Sequence, residues 1–192
     1  MTNQDDESFD PTVESEKACE NSGAQPGSSA APSRIPKQIG KYRIKQLIGS
    51  GGMGSVYQAL QEQPRRTVAI KLMKSGIASS SALRRFEYES QLLARLSHPG
   101  IAEVYDAGTH KTPDGGVPYF VMEYISRARR ITDYVREKSL STNERLELFL
   151  EACAAIHYGH TKGVIHRDLK PDNILVDTHG RVKIIDFGVA RD

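Results

Sequence analysis

Residues 166–173 read His-Arg-Asp-Leu-Lys-Pro-Asp-Asn, and thirteen residues after Asn173 comes Asp186-Phe187-Gly188. No other stretch restricts the fold as much. Two apolar, largely β-branched runs, 174–176 and 182–185, lie between them, separated by Asp177-Thr178-His179-Gly180. Short runs of this kind around a polar turn predict a hairpin. A hairpin returns Asp186 to the neighbourhood of Asn173. Two oxygen-bearing side chains side by side suit a hard cation such as Mg²⁺, which takes a few protein oxygens and completes its shell with water and substrate phosphates. Asp168 stands just ahead of that cradle, with Lys170 two residues on. A base for a hydroxyl, next to metal ligands for a polyphosphate, makes a residue set for phosphoryl transfer. The alternative is a buried turn leading into a hairpin.

Together these residues resemble the catalytic loop and the magnesium loop of eukaryotic-type (Hanks-type) protein kinases. Lys170-Pro171 after Leu169 is similar to the serine/threonine branch, since tyrosine kinases usually carry an Ala-Arg-type sequence there. Asp-Phe-Gly by itself is a weak signal. An eight-residue match with Asp-Phe-Gly at the expected distance is a specific one.

The rest of the chain bears on the same reading. The first forty residues hold seven acidic and three basic residues, and the remainder holds 17 and 23. The tail is rich in Ser, Ala, Pro and Gly and has almost no large apolar residues. It cannot bury enough surface to offset its ordering entropy, so a disordered acidic tail over 1–40 is expected, ahead of a domain over 41–192. The mild basic excess of that domain is too small to imply nucleic acid as a partner. Two cysteines, Cys19 and Cys153, make no disulfide framework and fit a reducing compartment. No apolar run reaches membrane-spanning length and the N-terminus has no apolar signal core.

Residues 42–48 read as a strand. Gly49-Ser50-Gly51-Gly52-Met53-Gly54-Ser55-Val56 follows, and then a second strand to about Leu60. Glycines allow tight turns and close backbone approach to a phosphate. The same spacing also marks dinucleotide-binding Rossmann loops, which run from a strand into a helix. Here strand follows strand, with no helix cap and no 3.6 periodicity after Gly54. Residues 67–73 form a third strand, whose alternation puts Ala69 and Lys71 on one face. A lysine in an apolar strand is either an edge charge, a snorkelling stem or a functional group.

Residues 80–96 predict a helix, with Ser79, Ser80 or Ser81 as its cap. Phe86, Glu89, Leu93 and Leu96 share one face, while Glu87 points away with Gln91. A carboxylate inside an apolar stripe needs a partner, and Lys71 is the natural one. The alternative is a solvated helix edge. Strands at 101–107 and 117–124 come next, then a short helix at 131–137 and a long one at 141–162. The long helix opens on Ser141 and Glu144, a capping box. Leu146, Phe149, Leu150, Cys153, Ile156 and His157 form its apolar stripe, which makes Cys153 a core thiol. His160 is a packed or edge histidine, and nothing has zinc-site spacing.

The resemblance covers about 42–191 and implies an α+β, bilobal kinase-like fold. A five-stranded antiparallel sheet with one helix (about 41–124) would be followed by a hinge and the first part of a helical lobe (about 125–192). Residues 92–99 with Val121-Met122-Glu123-Tyr124 look most like the bacterial branch. It implies a serine/threonine kinase that uses ATP and Mg²⁺, or Mn²⁺ in its place. Ile48, Gly49, Ser50, Gly51, Gly52, Met53, Gly54 and Ser55 would cover the nucleotide. Val56, Ala69 and Leu175 would sandwich the adenine. Met122 would be the gatekeeper, with the backbone of Glu123 and Ile125 bonding the adenine edge. Lys71, held by Glu89, would position the phosphates, and Asn173 and Asp186 would bind the metal. Asp168 would act on the substrate hydroxyl and Lys170 on the γ-phosphate. Leu93, Val104, His166 and Phe187 would stack between the lobes. Substrate proteins with Ser or Thr, dimerisation for activation and a cytoplasmic location follow from the same resemblance. Arg167 beside Asp168 implies control through a phosphorylated activation loop. With Asp192 four residues past Gly188, the catalytic domain is expected to be incomplete and poorly active as it stands. A nucleotide-binding pseudokinase or scaffold is the alternative function, although no catalytic position is replaced.

Overall fold

The computed structural model describes residues 35–52, 54–74, 80–113 and 115–187, with backbone alone at 80–83 and 85. Most of the expected tail, Met53, Ser79 and Gly188 lie outside what is described, as do the side chains of Ser80 and Ser81. The elements are β1 Gln38–Ile39, β2 Tyr42–Gly51, β3 Gly54–Gln61, β4 Arg66–Met73, α1 Ser80–Leu93, β5 Val104–Thr112, β6 Gly115–Glu123, β7 Arg129–Arg130, α2 Ile131–Glu137, α3 Thr142–Thr161, β8 Ile174–Val176 and β9 Val182–Ile184. An antiparallel sheet runs β1-β2-β3-β4-β6-β5, and a small one runs β7-β8-β9. The expected α+β architecture is the one observed, with the two-residue β1 as a sixth strand.

Strand alternation divides the large sheet into two cores. On β4, Val68 and Ile70 face an outer cluster with Ile39, Tyr42, Tyr57 and Val121. Ala69 and Met73 face an inner cluster with Leu93, Phe120, Ile184 and Phe187. Both faces of β4 are covered, so its apolar run is nearly continuous. Ile39 is fully buried, so ordered structure begins before residue 41, where the domain was expected to start. One isoleucine at the end of a polar stretch carries no periodicity, and only the sheet face waiting for it gives it a place. Beside it, Tyr42 donates to Asp106 Oδ2 at 2.6 Å, and Lys41 lies 3.0 Å from the same oxygen.

α1 ends at Leu93, three residues before the expected boundary, and passes through a turn at Ala94 and Arg95. Leu96 is buried all the same. Phe86 of α1 packs on Phe120 with ring centroids 4.5 Å apart. α3 starts with the expected reciprocal cap. Glu144 N donates to Ser141 Oγ at 3.4 Å, and Ser141 N donates to Glu144 Oε2 at 2.8 Å.

The buried face of α3 is not the one expected. Leu148, Ala152, Ala155 and Gly159 are buried, while Leu146, Phe149, Leu150 and Cys153 are exposed. Cys153 is therefore a surface thiol and not a core one. Close approach explains the choice. A methyl group on Gly159 would come within 2.5 Å of the Phe187 ring, and one on Gly100 within 3.1 Å of Ala155 Cβ. Small residues let the helix sit against its neighbours where Leu146 and Phe149 would hold it away.

Two expectations test the outer core. Ile39→Ala should cost about 2–5 kcal/mol, as for a core residue, in a urea melt. Tyr42→Phe tests the Asp106 bond. Burial raises the Asp106 carboxyl, but the bonds from Tyr42 and Lys41 outweigh it and hold it below its ordinary value. A group lowered on folding stabilises above its unfolded pKa, and the benefit is lost as pH falls through the folded one. Tyr42→Phe should thus cost about 1 kcal/mol at neutral pH and much less in acid below the carboxylate range, read from melts at both pH values.

Candidate active site

β4 presents Lys71 on its inner face, where its side chain is 6% exposed. A buried ammonium requires a charged or hydrogen-bonding partner. Asp186 supplies it, with Nζ and Oδ2 2.8 Å apart. Across the sheet Lys71 is paired with Val56 on β3 and Phe120 on β6. The helix periodicity nominated Glu89 for this lysine. Glu89 is half-buried and lines a cavity of about 50 Å³ with Leu92, Val164, Ile165 and Arg167. Glu87 is exposed, as expected.

The loop after α3 is held by backbone bonds. His166 is buried, and its Nε2 donates to Ile185 O at 2.8 Å, which leaves Nδ1 to accept from Asp168 N at 3.3 Å. A carbonyl only accepts and an amide only donates, so the two bonds fix the tautomer. Ile185 N donates to Asn173 O at 3.0 Å. The hairpin β8–β9 thus ties the loop to the residue before Asp186, as its spacing predicted. Asn173 donates through Nδ2 to Asp168 O at 2.8 Å and toward Asp168 Oδ2 at 3.4 Å. Lys170 Nζ lies 2.8 Å from the same Asp168 oxygen. Asp168, Lys170, Asn173, Asp186 and Lys71 are therefore brought together.

With Nδ2 committed to Asp168, Asn173 keeps its Oδ1 as an acceptor, and its main-chain oxygen is bonded to Ile185, the residue before Asp186. Among the described residues no group of three or more His, Cys, Asp or Glu side chains forms a metal cage. An oxygen pair without a cage fits a divalent cation that keeps water and takes phosphate oxygens.

Next to this cluster lies a cleft of about 300 Å³. Its walls include Ile48, Val56, Ala69, Met122, Ile125 and Leu175, with Glu123 at the end of β6 and Asp186 at the inner end. All were expected there. Ile185, Arg127 and Ala128 also line it and were not. The Ile185 side chain could have been assigned from the hairpin alternation. Arg127 sits at φ +51, outside any periodic element, and left no such trace.

β2 and β3 pair antiparallel up to Gly49↔Val56, Ser50↔Ser55 and Gly51↔Gly54, strand leading to strand, which excludes the Rossmann alternative. Gly54, at φ +152, leaves no room for a side chain, because a Cβ would meet Leu72 O at 2.1 Å. Gly51 and Gly52 face open space, which suits a loop that closes over a ligand. Behind the cleft, Phe187 stacks on His166 with centroids 4.9 Å apart and joins Leu93 in the inner core, with Val104 packed against it.

Comparison with known proteins agrees with this geometry. The family model described as protein kinase domain matches residues 42–192. The chain belongs to the protein kinase family. The serine/threonine-protein kinase PknB of Mycolicibacterium smegmatis is 38% identical over 153 residues, 79% of this chain and 24% of that protein. PknA of Mycobacterium tuberculosis, also named a serine/threonine-protein kinase, is 38% identical over 79% of this chain and 36% of its own length. The chain thus spans a quarter to about a third of these relatives. The crystal structure of the Mycobacterium tuberculosis PknI kinase domain superposes with a TM-score of 0.68 at 27% identity, covering 84% of this chain and 64% of that one.

In this kinase fold, Gly159 is where α3 admits the Phe187 ring. Gly159→Ala should press a methyl onto that ring and cost about 1–3 kcal/mol. For a domain of this size that is a fall in melting temperature of roughly 3–10 °C, read by calorimetry.

Proposed function

We propose that this chain carries the nucleotide-binding and catalytic machinery of a protein serine/threonine kinase, which moves the γ-phosphoryl group of ATP to Ser and Thr hydroxyls of proteins. One observation carries the reading. Asp186, on the wall of an apolar cleft of nucleotide size, pairs with Lys71, and the residue before it is bonded to Asn173, which with Lys170 holds Asp168. The similarity to PknB and PknA supports the serine/threonine branch.

The adenine lies between Val56 and Ala69 above and Leu175 below, with its edge toward the backbone of Glu123 and Ile125 and Met122 as gatekeeper. Residues 48–55 cover the phosphates. Lys71 holds them, and Glu89 supports Lys71 when Asp186 turns to the cation. Asn173 and Asp186 would hold a divalent cation, Mg²⁺ by its preference for oxygen donors and water, which neutralises charge on the phosphates when bound. Asp168 orients the hydroxyl and accepts its proton. Lys170 neutralises charge on the γ-phosphate. Residues 41–124 act as the small lobe and those from 125 as the hinge and the start of the larger one. An ATP substrate and a free thiol at Cys153 favour a cytoplasmic setting. Every position the chemistry requires is filled, which disfavours a scaffold that only binds nucleotide.

Transfer of labelled phosphate from ATP to a basic protein tests the assignment. Lys71→Met should nearly abolish transfer, because positioning is most of the catalysis. Glu89→Gln should lower it substantially and Glu87→Gln hardly at all. Equal losses at 87 and 89 would remove Glu89 from the site. Asp168→Asn should lower turnover by about 10²–10⁴-fold while leaving nucleotide affinity within a few-fold. Nucleotide binding with no transfer under any activating condition would favour the scaffold.

A further inference from the structure

A second cavity, of about 280 Å³, shares Glu123 with the nucleotide cleft but no other wall. His98, Glu103, Tyr105 and Lys183 are among its lining. Lys183 is a charged residue in an otherwise apolar strand, and its side chain is 12% exposed. Its Nζ lies 2.9 Å from Glu123 Oε2. The same oxygen accepts from Glu103 N at 3.4 Å, and Glu123 N donates to Glu103 O at 2.8 Å. Glu123 is therefore gripped through both its side chain and its backbone.

The two ends of the Lys183–Glu123 pair have different structural attachments. Glu123 ends β6 and is paired with Val68 in the large sheet. Lys183 is on β9, directly across from Leu175 on β8. Leu175 and Glu123 both line the nucleotide cleft. One ion pair thus joins the floor of the cleft to the strand end that faces the adenine edge. A mostly buried pair holds its geometry more firmly than a solvated one, because removing one member leaves a charge without its partner.

We propose that Lys183 is a positioning residue for the nucleotide: through Glu123 it sets the distance between the hinge backbone and the Leu175 floor, and so governs nucleotide affinity. The inference rests on reading the cleft as a nucleotide site. Lys183 touches no reacting atom, so its effect belongs in binding and not in the transfer step.

The test uses the full chain and a fluorescent ATP analogue, with K183M, K183R, E123Q and the K183M/E123Q double variant. K183M should weaken binding roughly three- to thirtyfold, and E123Q by a similar factor. K183R should keep most of the affinity. The double variant should be no weaker than either single one, because both remove the same pair. Where transfer is measured, KM for ATP should rise and kcat at saturation should stay within about twofold, the pattern of lost uniform binding. If K183M does not fold, the near-isosteric E123Q carries the test. Unchanged affinity in K183M or E123Q beside normal wild-type binding overturns the proposal alone, even if melting temperature falls. Additive losses in the double variant also overturn it. A wild-type chain that binds no nucleotide overturns the nucleotide reading itself, and this proposal with it.

Discussion

An ammonium group buried in an apolar sheet is the constraint on which the rest of the structure depends. Lys71 lies between two core positions of β4, and taking its charge out of water without a partner would cost several kcal/mol. Its partners on the neighbouring strands, Val56 and Phe120, are not acids. The partner comes from Asp186, more than a hundred residues later, just past β9. For the pair to form, the hairpin β8–β9 must dock under the sheet, and α1 must bring Leu93 onto the same core. The charge pair therefore sets the relative place of the sheet and the later helix-and-hairpin segment. The space left between them is the cleft.

Once Asp186 is fixed, the loop from His166 has little freedom. Ile185 is bonded on both sides, through its N to Asn173 O and through its O to His166 Nε2. Asn173 in turn holds the backbone of Asp168. A displacement of the hairpin would be passed on to Asp168 through two hydrogen bonds, both between parts of the chain that the sequence places close together. This is a short path for keeping Asp168 and Asp186 in register: each bond ends on a main-chain oxygen, and the His166 ring and the Asn173 amide are among the donors.

Bonding between residues close in the chain also explains what could be read in the sequence. The hairpin, the α3 cap and the strand-to-strand glycine bend follow from local turn chemistry and period, and the structure has them where they were expected. Three features depend on which surfaces meet. The buried face of α3 went to Leu148, Ala152, Ala155 and Gly159, because contact there is limited by closeness and not by apolar area. Ile39 gained its place from a gap on a sheet formed by residues far along the chain. Lys183 is paired with Glu123, sixty residues away, and strand alternation alone does not name that partner. A lysine across from a residue expected to touch the adenine was the available signal. The pairing of Lys71 is the instructive case: periodicity placed Glu89 on the right face of α1, but could not say which of two acids the lysine holds.

Two residues beside the reacting groups, Arg167 and Asp186, both have φ of +61, a region where side chains other than glycine cost roughly 1–2 kcal/mol each. Neither position is glycine, so the cost has been accepted where the side chain matters. At Asp186 the left-handed turn follows a residue tied down at both its N and O, and it aims the carboxylate at Lys71 and the cleft. An extended conformation there would carry the chain onward along β9 and take the carboxylate off the lysine. At Arg167 the turn lets Asp168 N reach back to both the carbonyl and the ring of His166, which leaves the Asp168 carboxylate facing Lys170 and Asn173. Strain of this kind persists only where neighbouring bonds over-determine it. Here the bonds are the same His166, Asn173 and Ile185 contacts that tie Asp168 to the turn at Asp186, so the strained turns and the geometry around them are held by one set of interactions.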